Sequence, residues 1–228
     1  MYLNCHSYYS LRYGTFSEVE LLELAIENNV NCIALTDINN TSACMNFVQQ
    51  AKKQNIKPII GVDFRNGNTQ QFIAIAKNNK GFENINRYLS SFLESKTPIP
   101  EKPKSLEEVF IIYPFEKVLE LNLTSFAENE FIGISIAEIN KLQFSYLKKH
   151  EDKLVIQQQV TIRNKKDFNA HRLLRAIDNN TLLSKLCTTE ECLETDVMRS
   201  ADVLQEHFKE FPFVITNTKR LLQQCTID

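Results

Sequence analysis

The sequence predicts an α/β fold built on a mostly parallel sheet, and three observations carry that prediction. From Met1 to Phe64, short apolar runs alternate with segments of helical periodicity as β-α-β-α-β; the later chain repeats the alternation; and polar residues of metal-ligand type, His6, Asp37 and Asp63, stand where the first three strands end. Strands joined through a helix pair in parallel, with a right-handed crossover. In such sheets ligands gather at the carboxyl ends of the strands, where loops vary while the strands hold them in place.

In chain order, Tyr2 to Ser7 opens as a strand. Ser17 with Glu20 three residues on forms a capping box, so a helix starts near Ser17 with Val19, Leu22, Ala25 and Ile26 on one face and Glu18, Glu23 and Glu27 elsewhere. Asn31 to Thr36 holds a short apolar run too brief for a helix, which suits a strand covered on both faces. Thr41 or Ser42 caps the next helix, whose Cys44, Phe47, Val48 and Ala51 follow i, i+3, i+4, i+7 spacing until Pro58 forces extension into a third strand ending at Asp63. Gln71 to Lys77 is a fourth strand, followed by a helix with Ile85, Tyr88, Leu89 and Phe92 on one side.

Ser95 to Ser105 holds three of the six prolines and three lysines, the composition of an extended, solvated surface connection. Phe110 to Tyr113, Glu130 to Ser135 and Lys153 to Gln157 read as further strands, with a helix between the last two running to about Lys149. From residue 161 the chain turns helical. Asp167 to Ile177 carries Phe168, His171 and Leu174 on one side, Ser200 caps a helix with Val203, Leu204 and Phe208, Pro212 ends it, and a last helix begins at Asn217-Thr218. The organisation expected is one domain over 1–228, with a barrel core over 1–160 and a helical part over 161–228.

A chain of 228 residues can bury a full α/β core. With 26 Lys and Arg against 28 Asp and Glu, the net charge of −2 offers no broad basic field for seizing nucleic acid, so any DNA contact is local or supplied by a partner. No apolar run of about 18 residues and no charged-then-apolar leader is found, so a cytoplasmic protein without membrane contact is expected. The six cysteines form no C-x-x-C pair and read as small buried hydrophobes; Cys187 and Cys192 lack the further partners zinc would need.

Three stretches carry a resemblance: Asn4-Cys5-His6-Ser7-Tyr8-Tyr9-Ser10-Leu11, Ala34-Leu35-Thr36-Asp37-Ile38-Asn39-Asn40, and Lys57-Pro58-Ile59-Ile60-Gly61-Val62-Asp63-Phe64. They resemble the start of the polymerase-and-histidinol-phosphatase (PHP) domain that opens the alpha subunit of bacterial DNA polymerase III, whose members read H-x-H-S-x-Y-S-x-L, A-L-T-D-H-x-N and K-P-I-I-G-x-E-F. The resemblance covers the whole chain and implies a distorted, TIM-like (β/α)7 barrel that stops short of the polymerase palm. The frame is kept and the ligands are not. Asn4 replaces the first His, Ile38 the His after Asp37, and Asp63 shortens the Glu; a strand-opening His falls at Gln71, a Cys near Ala137, and a D-x-H pair at Gln159 and Thr161. His6 and Asp37 remain, while His150, His171 and His207 lie outside the matched positions.

A multi-metal phosphoesterase centre needs enough imidazoles and carboxylates to hold two or three cations about 3.5 to 4 Å apart. One His and two Asp suit at most a single manganese, zinc or magnesium ion completed by water. The expectation is therefore a vestigial, metal-free, hydrogen-bonded rim with no catalytic residue and no cofactor in this chain. Nucleotidyl transfer and its magnesium belong to the palm, so this chain alone should not polymerise. The resemblance implies packing on the remainder of the polymerase chain, a docking face for a separate proofreading exonuclease subunit, and DNA contact through the full-length protein. Two alternatives stay open: a residual metal-dependent 3'-5' exonuclease or phosphoesterase centred on His6, Asp37 and Asp63, and a stand-alone interaction module.

Individual residues have plainer roles beside these. Asp37 suits a helix cap or an acceptor for loop amides. Tyr8, Tyr9, Arg12 and Tyr13 either pack the barrel mouth or stack on a nucleotide. Arg163, Lys165, Lys166, Arg172 and Arg175 read as a solvated face.

Overall fold

The computed structural model describes residues 1–227. Among them are the strands β1 (Asn4–Cys5), β2 (Cys32–Leu35), β3 (Lys57–Asn66), β4 (Thr69–Ala76), β5 (Val109–Pro114), β6 (Glu130–Ile134), β7 (Leu154–Ile156) and β8 (Gln159–Val160). β2 to β7 form one six-stranded sheet in sequence order, and β1 pairs with β8. β1 also lies against β2, because the amides of Ala34 and Thr36 donate to the carbonyls of Tyr2 and Cys5 at 2.9 Å. β8 follows β7 after two residues. The sheet is thus a curled half-barrel whose open side β1 and β8 bridge. Pairing is parallel except for β3–β4 and β4–β5. The exception has a local cause: β3 and β4 are joined by a tight turn at Gly67, φ +58°, with no crossover helix.

The helices are α1 (Glu18–Glu27), α2 (Cys44–Lys53), α3 (Asn79–Ser95), α4 (Phe115–Glu120), α5 (Ile139–Phe144), α6 (Lys165–Asp178), α7 (Ala201–His207) and α8 (Pro212–Gln223). Among the described residues, no helix is long and apolar enough to cross a membrane. Strand side chains alternate between two clusters. Ile60, Val62, Ala74 and Ile111 face the helices with Leu22, Phe47 and Ile85. Ala34, Ile59, Ile73, Ile75, Ile112 and Val155 fill the interior, which Leu221 and Leu222 at the end of α8 and Cys225 just after it close at the amino ends of the parallel strands. The opposite end is left to polar residues.

The Ser17–Glu20 capping box forms, and Cys44, Phe47, Val48 and Ala51 are the buried face of α2. Several elements differ from the sequence reading. β1 keeps two residues of the expected six. Ile26 is exposed and Glu18 is buried instead, accepting a bond from Asn46 of α2. Neither Thr41 nor Ser42 caps α2: Ala43 holds that position without a side-chain bond, while the Thr41 hydroxyl donates to Asn86. The helix expected to reach Lys149 breaks into 3₁₀ turns at Ile136–Glu138 and Tyr146–Lys149 around α5, since Ser145 is extended and caps the second turn. The connection after α3 is mostly exposed, but Ile99 is buried and exchanges two hydrogen bonds with the Asn66 side chain.

Pro212 does not end a helix. α7 stops at His207, and Pro212 is the first residue of α8, where a missing N–H leaves no bond unmade. Asn217 and Thr218 are therefore in mid-helix and tie α8 to β7. The Asn217 amide donates to the Leu154 carbonyl at 3.0 Å, and the Thr218 hydroxyl accepts from the Ile156 amide at 2.8 Å. Cys5, Cys44, Cys192 and Cys225 are buried, Cys32 is half-buried and Cys187 is exposed.

Candidate functional site

The site forms at the carboxyl ends of β1 and β3. The His6 amide donates to the Val160 carbonyl at 2.9 Å and fixes the imidazole at the closure of the ring. Asp63 lies in β3, and Arg65, two residues on, returns to the same side of the strand. Arg65 Nε and Nη2 donate to Asp63 Oδ2 at 2.9 and 2.7 Å, and Nη2 also donates to Gln159 Oε1 at 3.0 Å. His6 Nε2 is 3.0 Å from the same Oδ2. A carboxylate oxygen only accepts, so Nε2 carries the proton, and Nδ1 accepts from the Thr161 hydroxyl at 2.9 Å. The Tyr13 ring lies 4.9 Å from the guanidinium carbon and edge-on to both His6 and His171. Asp63 Oδ1 is buried without a hydrogen-bond partner.

Electrostatics assign each group one protonation state. Burial alone would raise the Asp63 pKa, but the Arg65 guanidinium and the His6 N–H outweigh it and hold it at about 2. Burial lowers the His6 pKa below its ordinary value; Arg65 adds to that, and Asp63 opposes it. The mouth thus holds an anion, a neutral imidazole and a permanent cation.

Asp37 stands apart from this network. The Ser7 amide and the Ser10 hydroxyl each donate to its Oδ1 at 2.7 Å, and the Ser7 hydroxyl to Oδ2 at 2.8 Å. It is an acceptor for the loop after β1 and not a cap of α2. Burial raises its pKa against these bonds. Among the other positions singled out by the sequence, Asn4 accepts from the Thr36 hydroxyl, and Gln71 donates to the Thr69 carbonyl. Ile38 packs on the apolar group of Tyr13, Ile162, Phe168 and Cys192, and Ala137 is exposed in a 3₁₀ turn. His6, Asp63, Gln159 and Thr161 are brought together; among the described residues, Asn4 pairs with Gln159 only through the strand backbone, and no side-chain hydrogen bond joins Asn4, Gln71 or Ala137 to the four. Among the described residues, no group of three or more His, Cys, Asp or Glu side chains could hold a metal ion.

Sequence reasoning missed Arg65 and the segment that roofs the mouth. Asp196 Oδ2 accepts from Gln159 Nε2 and from the Leu193 amide, both at 2.9 Å, and its carbonyl accepts from the Thr161 and Ile162 amides. Burial pushes the Asp196 carboxyl up to about 6. His171 anchors the same segment: Nδ1–H donates to the Tyr13 carbonyl at 2.7 Å, and Nε2 accepts from the Cys192 amide at 2.8 Å. A cavity of 260 Å³ remains between Tyr13, Arg65, Gln159 and residues 189–193 and 196. The basic run on and before α6 is not a freely solvated face. Arg163 pairs with Glu20 and Asp167, Lys165 with Glu194, Arg172 with Glu191, and Arg175 with Asp178 and Glu190; Lys166 is exposed. Of the aromatic patch, Tyr13 is buried in the mouth, whereas Tyr8 is 47% exposed and rests on Tyr9.

A family model described as PHP domain matches residues 3–165. The DNA polymerase III subunit alpha of Ureaplasma parvum is 38% identical over 94 residues, 41% of this chain and 10% of that protein. That of Halalkalibacterium halodurans is 21% identical over 261 residues, spanning 100% of this chain and 23% of its own length. An error-prone DNA polymerase of Symbiobacterium thermophilum is 21% identical over 275 residues, 99% of this chain and 25% of its own. The chain thus spans between 10% and 25% of the length of these relatives. Among solved structures, an amidohydrolase from Chromobacterium violaceum is similar at 19% identity over 42% of this chain and 34% of that one, with a TM-score of 0.34.

Proposed function

The chain belongs to the PHP domain family, and from that premise we propose that it is the PHP module of a DNA polymerase III alpha-type replicase whose barrel mouth has left phosphoester chemistry. The observation that carries this reading is the buried Asp63–Arg65 pair. A metal centre at this rim would draw on Asp63 and His6. Asp63 Oδ2 is already taken by a guanidinium and an imidazole N–H, and His6 directs its one lone pair at Thr161. Two unit charges 4 Å apart repel by about 4 kcal/mol at an effective dielectric near 20, and a divalent ion beside Arg65 doubles that. The orphaned Asp63 Oδ1 is a single oxygen, too few for a polynuclear cluster. These residues fit a metal cluster poorly, and Arg65 supplies the positive charge that a cation would otherwise bring.

The remaining role is architectural. On this reading the module packs on the rest of a cytoplasmic polymerase, reaches DNA through it, and offers a face to a proofreading exonuclease subunit, while nucleotidyl transfer lies elsewhere in the larger protein. The similarity to polymerase subunits along the full chain supports the setting. The test is hydrolysis of a chromogenic phosphodiester with added manganese or zinc, with and without chelator. No chelator-sensitive turnover is expected; turnover that the chelator and Asp63→Asn both abolish would overturn the reading.

A further inference from the structure

The segment Thr188 to Asp196 carries four acids in nine residues. Three of them meet a cation of α6: Glu190 with Arg175, Glu191 with Arg172 at 2.5 Å, and Glu194 with Lys165. The fourth, Asp196, bonds Gln159, which itself bonds Arg65. Phe168 lies between two of these cations, with Lys165 Nζ 5.0 Å and the Arg172 guanidinium 6.0 Å from its ring centre. The acids thus run along one segment that lies over the helix and also roofs the 260 Å³ mouth cavity. In shape and charge the segment is a linear polyanion laid on a cationic helix.

We infer that residues 188–196 are a displaceable strap that masks a binding face for the phosphodiester backbone of single-stranded nucleic acid. The face consists of Lys165, Arg172 and Arg175 of α6 with the exposed Lys166 beside them. With the strap down, its carboxylates neutralise this face, and a chain of net charge −2 draws no polyanion from a distance. With the strap lifted, the cations line one helix next to an aromatic ring, the combination that holds single strands by charge and stacking. An acidic peptide would satisfy the charges but make no use of the ring. The inference stands on this pairing and does not depend on whether the mouth binds metal.

The strap carries its own reporter. Cys192 is 4% exposed, packed on Tyr13, Ile162 and Phe168, while Cys187 just before it is exposed. Alkylation followed by peptide mass spectrometry reads Cys192 against Cys187 in one sample. In the wild-type protein an oligo-dT strand is expected to speed Cys192 labelling several-fold and leave Cys187 unchanged. The variant Glu190→Gln/Glu191→Gln/Glu194→Gln should bind fluorescent oligo-dT at least tenfold more tightly than wild type, with a log–log salt slope of about −1.4 for the two cations it frees, since Arg175 stays paired with Asp178. Glu194→Gln alone, at an exposed pair that leaves the fold untouched, should shift affinity less and in the same direction. Unchanged affinity in both variants overturns the proposal, as does Cys192 labelling that ignores oligo-dT. Acceleration by polyglutamate but not by oligo-dT would assign the face to an acidic protein segment and overturn it equally.

Discussion

Replacing Arg65 by Met keeps side-chain volume and removes the charge. Asp63 is fully buried, so it would be left as an anion facing one imidazole N–H and no cation. Removing one partner of a buried ion pair costs about 3–5 kcal/mol, because the other charge stays in a medium of low polarity. In a chain of this size each kcal/mol moves the melting temperature by about 2–4 °C, so Arg65→Met should melt about 6–20 °C below wild type at pH 7. The acid dependence follows from the pair. The folded Asp63 pKa of about 2 lies below its ordinary value of 3.8. The stabilisation is therefore complete above about pH 4 and lost as pH falls toward 2. Urea unfolding of wild type and variant should differ most at neutral pH and converge in acid. The double variant Asp63→Asn/Arg65→Met, which has no charge left to bury, should recover most of the loss. A single variant within about 1 kcal/mol of wild type at pH 7, or a gap that acid does not narrow, would refute the reasoning.

Other perturbations reach neighbouring parts of the structure. Burial holds the His171 pKa at about 4, since protonating Nε2 would break the bond from the Cys192 amide; stability should drop as pH falls from 6.5 toward 4, and urea midpoints of His171→Gln should fall less steeply over that range. Ser10→Ala removes a donor to Asp37 and the acceptor of the Ile38 amide, and should cost about 1–3 kcal/mol in the same assay. A Cβ on Gly61 would stand 2.2 Å from the Ala74 carbonyl oxygen of the paired strand, so Gly61→Ala should destabilise by about 1–3 kcal/mol or more. Gly67→Ala meets nothing within 4 Å and pays only for its positive φ, about 1–2 kcal/mol by thermal melting.

The ring of strands was legible because its signals are local. The Ser17–Glu20 box and the α2 face are written within ten residues of chain, and they placed His6, Asp37 and Asp63 at strand ends. Arg65 was also within reach. β3 runs to Asn66 and not to Asp63, and with a two-residue period Arg65 must share a side with Asp63. Asp196 and His171 left no such trace, since their partners Gln159, Tyr13 and Cys192 lie 21 to 158 residues away and only the closed barrel brings them together. The basic run misled in part for the same reason: Glu190, Glu191 and Glu194, which pair with Arg175, Arg172 and Lys165, come from a loop with no periodicity of its own, although Asp167 and Asp178 stand within one turn of Arg163 and Arg175. Pro212 misled differently, because a proline marks the start of a helix as readily as the end of one.

Equilibrium dialysis of the wild-type protein against manganese and zinc, followed by elemental analysis, most directly tests whether Arg65 holds the place of a metal cation at the barrel mouth. With the guanidinium on Asp63, no stoichiometric ion should be retained. One or more tightly held equivalents that Asp63→Asn releases would show that the mouth keeps a metal centre beside Arg65, and would contradict the assignment.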